Sequence, residues 1–98
     1  MPRWAKRDAN DAEIVKGLKD AFFQVVDLTG VGGGCPDKLI VSPQGLQLLE
    51  LKVPKTGRLS DRQIEWHADF RGPPGTLHVA TTLREALEKL NRIRLRRP

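Results

Sequence analysis

Two runs rich in Leu, Ile and Val, "DKLIVS" at 37–42 and "LQLLELKV" at 46–53, meet across Ser42-Pro43-Gln44-Gly45. Ser at the first turn position, Pro at the second and Gly at the fourth are type I preferences, so the runs are read as a β-hairpin. Directly opposed residues of a hairpin share a face, and a slip of one residue turns every side chain over. If the loop is Pro43-Gln44 alone, 42 pairs with 45, 39 with 48 and 37 with 50, and Asp37 faces Glu50. If a type I turn is followed by a glycine bulge at Gly45, the register moves by one and Asp37 lies diagonal to Glu50. Either way two carboxylates distant in sequence come together. Lys52, two residues after Glu50 on the same face of its strand, adds an ammonium.

The other elements follow from periodicity. In "DANDAEIVKGLKDAF", 8–22, Ile14, Leu18 and Phe22 recur every fourth residue with Val15 beside them, the stripe of an amphipathic helix capped by Asp8 or Asn10. Glu13 falls on the edge of that stripe. "FFQVVDL", 22–28, reads as a strand ended by the glycine loop 30–34. "SDRQIEWHADFRG", 60–72, is a helix with a Ser cap and with Ile64 and Ala68 inward; Trp66, by its spacing, is expected in the core. Pro73 and Pro74 stop it. "TLHVAT", 76–81, is a short strand with His78 facing solvent or a second subunit. "TLREALEKL", 82–90, carries Thr82 and Glu85 in the capping-box pattern, with Leu83, Leu87 and Leu90 on its apolar side. The order α-β-β-β-α-β-α predicts an α/β fold, a mixed central sheet with flanking helices.

With 98 residues, a single domain covering 1–98 is expected, with a basic tail at 92–98. The net charge of +5 favours a polyanionic partner. One cysteine allows no internal disulfide and suits a reducing cytoplasm; no apolar run approaches the length of a membrane span, and no signal peptide precedes the first helix. Cys35, His67 and His78 lack the paired spacing of a zinc site. Gly32, Gly33 and Gly34 are followed by no Gly-Lys-Ser/Thr, which excludes a nucleotide P-loop. They read as a turn kept bare so that a large ligand can approach.

On "ELK" alone, an ion pair at a strand end is the ordinary reading. Asp37 across the hairpin changes it. Two close carboxylates stay ionised near neutral pH when a cation sits between them. Carboxylate oxygens and a few waters suit Mg²⁺ and leave room for substrate phosphate. A neighbouring lysine can orient an attacking water. The chemistry expected is phosphodiester hydrolysis.

"PD" at 36–37 followed by "ELK" at 50–52 resembles the PD-(D/E)xK nuclease superfamily and, more narrowly, the virus-type replication-repair nuclease (VRR-NUC) domain. The glycines before "PD", the run "LLELKVPKTGRLSDRQIEWH" and the later strand and helix are similar to that family from about Arg7 to Leu90. The resemblance implies a restriction-endonuclease-like core and a Mg²⁺- or Mn²⁺-dependent DNA endonuclease. It implies that Asp37, Glu50 and the Leu51 carbonyl hold the metal, that Lys52 is the catalytic lysine, that Glu13 assists from the first helix, and that Gln63 belongs to the site. The small stand-alone members are similar to Holliday-junction resolvases, which implies a homodimer acting on branched DNA. A flap or nicking nuclease, and a non-catalytic DNA-binding module, are the alternatives. Gly33, Gly34, Lys55, Arg58 and Arg62 are the expected DNA contacts, joined by Arg71 and the tail. Lys38 and Cys35 flank the "PD" where the family usually has apolar residues.

Overall fold

The computed structural model describes residues 3–52 and 58–91, and side chains from residue 10 onward. Lys55 and the arginines of the tail lie outside the described residues. The elements are α1 (Arg3–Asp20), β1 (Gln24–Asp27), β2 (Lys38–Ser42), β3 (Gly45–Leu51), α2 (Asp61–Ala68), β4 (Leu77–Ala80) and α3 (Leu83–Leu90). The strands form one mixed sheet in the order β1-β2-β3-β4. The first three are antiparallel, and β4 returns parallel to β3 after α2. No helix among the described residues is long and apolar enough to cross a membrane.

The hairpin takes the simpler register. Ser42 pairs with Gly45, Leu39 with Leu48 and Lys38 with Leu49, so Pro43-Gln44 is the whole loop and there is no bulge. Gly45, at φ +124°, absorbs the backbone twist that a type I turn imposes between two strands.

Alternation along the strands then sorts the residues. Ile40, Leu49, Leu51 and Ala80 point to one side and meet Ile14 and Leu18 of α1, Ala86 and Leu90 of α3, and Phe23; these nine form the buried apolar core. Gly17 lets α1 approach α3, because a Cβ there would lie 2.2 Å from Leu83 Cδ2. At the far end of this side, Gln47 Nε2 donates to the last-turn carbonyl of Leu90 (3.2 Å), and its Oε1 accepts from His78 Nε2 at 2.7 Å. His78 is therefore buried between strand and helix, not turned to solvent or a second subunit. A polar residue is admitted there because its partner answers it.

Two helix ends differ from the sequence expectation. α1 starts at Arg3, ahead of Asp8 and Asn10. It ends in a Schellman motif, with Phe23 N–H donating to Leu18 O (3.1 Å) and Phe22 N–H to Lys19 O (3.0 Å). Phe22 therefore stands at φ +71° and is 93% exposed, and Phe23 takes the core position that the four-residue stripe assigned to Phe22. A stripe drawn through a helix assumes the helix continues, and here it stops at Asp20, two residues short of the last apolar position.

The other two helices are capped as their sequences suggest. Ser60 and Gln63 make a full capping box: Ser60 Oγ accepts from Gln63 N–H at 3.2 Å, and Gln63 Oε1 from Ser60 N–H at 2.8 Å. At α3, Thr82 Oγ accepts from Glu85 N–H, but the Glu85 carboxylate reaches back to Thr81. α2 buries no residue fully. Ile64 and Ala68 face outward, and Gln63, Trp66, His67 and Phe70 are half-buried. Trp66 stacks on Phe70 (5.9 Å between ring centres) instead of entering the core.

Candidate active site

The ladder between β2 and β3 sets the site. Carried one step past Lys38↔Leu49, its register puts Asp37 opposite Glu50. The same step between β1 and β2 puts Leu28 opposite Asp37, and Leu28 N–H donates to Asp37 O at 2.7 Å. Asp37 Oδ2 accepts from the Leu51 N–H at 3.0 Å, which fixes its carboxylate against the peptide that follows Glu50. Lys52 still belongs to the ladder, since its N–H donates to Ala80 O at 2.9 Å. By alternation its side chain leaves on the side of Glu50, away from α1 and α3. All three charged groups are buried: Asp37 is 6% exposed, Glu50 0% and Lys52 8%. Burying charge is costly unless opposite charge answers it, so this clustering marks a built feature of the molecule.

The glycine loop closes the cluster from the β1 side. Gly32, Gly33 and Gly34 all have positive φ, a run that glycine alone tolerates. Gly34 also touches α2: a Cβ there would lie 2.3 Å from the Arg62 carbonyl oxygen. The bare backbone at that position thus serves a helix contact. Gly33 is exposed and would meet nothing within 4 Å. Past the loop, Cys35 is half-buried. Its thiol is pushed above the ordinary range by burial and then by the charges of Glu50 and Asp37, which places it within electrostatic reach of both carboxylates.

A cleft of about 430 Å³ opens here, lined by Asp11, Thr29, Gly32, Gly34, Cys35, Asp37, Ser60, Arg62 and Gln63. Gln63 sits in it as the sequence suggests, though its carbonyl oxygen is committed to the Ser60 cap. Arg62, exposed in the first turn of α2, borders the cleft; Arg58 is exposed just before that helix. His67, one turn beyond Gln63, is held below its usual range by burial and then by the charge of Lys52.

The first helix meets the cleft at Asp11. Glu13 is exposed and is not among the cleft's described lining residues; Asp11 is. Helical phase explains it. Asp11 stands three residues before Ile14 and seven before Leu18, on the buried stripe, whereas Glu13 is turned roughly 100° away from Ile14. Asp11 Oδ1 lies 3.1 Å from Lys38 Nζ, which also meets Asp27 Oδ1 at 3.2 Å. Lys38 is buried on the opposite side of the strand from Asp37. Burial alone would lower its ammonium, but the hydrogen bonds to Asp11 and Asp27 and their charges outweigh this and raise it. The lysine that breaks the apolar pattern after "PD" is thus the tether between α1, β1 and β2. An apolar position turned lysine beside two aspartates was the available signal.

Among the described residues, no group of three or more His, Cys, Asp or Glu side chains could hold a metal ion. The donors that converge are two carboxylates, Asp37 and Glu50, with the Leu51 peptide beside them. All are hard oxygens, and a set this small fits Mg²⁺, which keeps most of its shell for water and substrate phosphate. Cys35, His67 and His78 do not gather; His78 is spent on Gln47 at the other end of the sheet.

No protein-family model matches the chain, and no curated protein or solved structure matches it either.

Proposed function

We propose that this protein is a metal-dependent DNA endonuclease with a restriction-endonuclease-like core of the VRR-NUC kind. What supports the reading is the opposition of Asp37 and Glu50 across adjacent strands, both buried, with Lys52 leaving on the same side. A binding surface for DNA gains nothing from carboxylates held where phosphate must approach, whereas hydrolysis requires them.

On this reading Asp37 and Glu50, with the Leu51 carbonyl, hold Mg²⁺ or Mn²⁺, which supplies a more acidic water and charge for the phosphate. Lys52 orients that water. Arg62, bordering the cleft, and Arg58, exposed just before α2, take the DNA backbone, and Gly33 leaves room for it; Lys55 extends the same basic stretch in sequence. From α1, Asp11 is placed to serve the cleft through Lys38, the part that the family resemblance gives to Glu13. The reading extends to a homodimer on branched DNA, because a four-way junction is two-fold symmetric and needs two cuts.

The test is cleavage of linear, nicked, flapped and four-way-junction DNA with Mg²⁺, Mn²⁺ or EDTA. Metal-dependent cutting is expected, with Asp37→Asn inert and Lys52→Ala slowed about 100-fold or more. Asp11→Asn should slow cutting more than Glu13→Gln. A wild-type protein that binds DNA yet cuts none of these substrates with either metal overturns the reading in favour of a binding module. Mass in solution tests the dimer.

A further inference from the structure

The sheet has two faces, and α1 and α3 pack on one of them. On the other face the ladder aligns Val26, Leu39, Leu48 and Leu77 in one row across all four strands. Val41 and Leu46 pair in the next row toward the hairpin turn, beside Gln24. Asp37 and Glu50 stand one row the other way on the same face. Burial divides this face. Asp37, Glu50 and Lys52 are buried, whereas every residue of the two apolar rows is half-buried or exposed, Val26 at 37% and Leu46 at 60%. α2 buries none of its own residues fully. Six aliphatic side chains thus form a continuous band that no described element seals.

Phe22 stands at the same end of the sheet, two residues ahead of Gln24, and is 93% exposed in the left-handed region. A bulky residue in that conformation costs the monomer free energy, and strain of this kind is kept where function uses it.

The band holds no charge, and Gln24 is the polar residue in its rows. It offers DNA phosphate no cation and a charged partner no counter-charge. A second copy of this chain offers the matching surface, and an uncharged face lets two chains of net charge +5 meet without opposing like charges. Size agrees. Four strands about 4.8 Å apart and two rows about 7 Å apart project roughly 250–300 Å² per copy. Phe22 adds about 150–250 Å². Two copies together bury about 800–1,100 Å², at the threshold of a specific interface.

We propose that this face pairs with the same face of a second copy, sheet on sheet about a two-fold axis, in a dimer of modest affinity. The proposal rests on the homodimer reading above and names its surface. The row of Asp37 and Glu50 comes next along the same face, so one dimer carries two such sites.

The experiment is sedimentation equilibrium of the full chain from about 1 μM to 1 mM, with circular dichroism to check folding. The wild type should dimerise reversibly in that range. Val26→Glu and Leu46→Glu, at positions exposed in the monomer, should each weaken the dimer about 100-fold or more, because the two-fold axis brings every added charge in twice. Phe22→Gly should weaken it about tenfold while relieving strain in the monomer. Val31→Glu, at a position as exposed as Leu46 (65%) but in the glycine loop at the other end of the sheet, should leave it unchanged. A wild type that stays monomeric throughout overturns the proposal. So does a dimer that any of the first three variants leaves intact, or that Val31→Glu weakens equally; another surface, such as the edge strand β1, then holds it. DNA cutting is scored separately. A monomer that cuts keeps the nuclease and loses this surface; a dimer that the variants break but that never cuts keeps the surface and loses the nuclease.

Discussion

Gly33 and Gly34 are neighbours with like backbone angles, φ +65° and +87°, but different surroundings. Replacing either with alanine forces an L-residue into the left-handed region, at about 1 kcal/mol. At Gly33 that is the whole cost, because an added Cβ meets nothing within 4 Å. At Gly34 the Cβ would lie 2.3 Å from Arg62 O and 2.6 Å from Arg62 C. Both are backbone atoms, so no side-chain rotation relieves the contact and the first turn of α2 must move by more than about 1 Å. Overpacking of this kind adds about 1–3 kcal/mol. For a domain of this size, 1 kcal/mol shifts Tm by about 4–8 °C. Gly33→Ala should therefore lower Tm by about 4–8 °C, and Gly34→Ala by at least twice as much. Thermal melts followed by circular dichroism measure both. If DNA cleavage is observed, Gly34→Ala should also reduce it more than Gly33→Ala, because Gln63 rides on the displaced helix. Equal losses of Tm in the two variants would refute the packing of the loop against α2.

Two further outcomes follow from local chemistry. Phe22→Gly should raise stability by about 0.5–1 kcal/mol, since it removes the left-handed strain at φ +71° and more than offsets the extra freedom of the unfolded glycine; Phe22→Ala keeps the strain and should give no gain in Tm. The Asp27 carboxyl is lowered to about 2, first by the Thr29 backbone N–H, then by the Thr29 side chain and by Lys38. A depressed carboxylate contributes stability that is full above its unfolded pKa near 4 and is lost as pH falls toward 2. Asp27 is 66% exposed, so solvent limits that contribution to about 1 kcal/mol or less. Urea unfolding at pH 4 and pH 2 should show wild type losing more stability than Asp27→Asn; an equal or smaller loss would contradict the assignment.

The strongest local signals in the sequence carried through to the structure. Ser42-Pro43-Gln44-Gly45 places the hairpin, and with it the opposition of 37 and 50. Ser60 and Gln63 announce their capping box. What sequence periodicity could not supply was the phase and end of α1. Nothing in "KDAFFQ" says that the helix closes on Phe22 and hands the core to Phe23, because a left-handed phenylalanine at a helix end is disfavoured and is held only by the two Schellman hydrogen bonds. That Asp11, and not Glu13, lines the cleft depends on the phase of α1, which the Lys38 contact marks and the sequence pattern does not. His78 alternates with Leu77 and Val79 as a surface residue would, and its burial depends on Gln47, a partner 31 positions away. The half-buried state of α2 reflects contacts with the glycine loop that no pattern within α2 encodes.

Lys38 and Asp37 share one peptide bond and look to opposite sides of the sheet. The lysine is clasped by carboxylates from α1 and β1, and the aspartate by the backbone of β3. A push on the first helix is thus delivered to the aspartate through a single amide plane, like a key turned from behind a door. A substitution on α1 far from the cleft that slides the helix along its axis would shift Asp11 at the cleft wall and, through Lys38, re-aim the Asp37 carboxylate, so changes remote from the cleft belong among its controls.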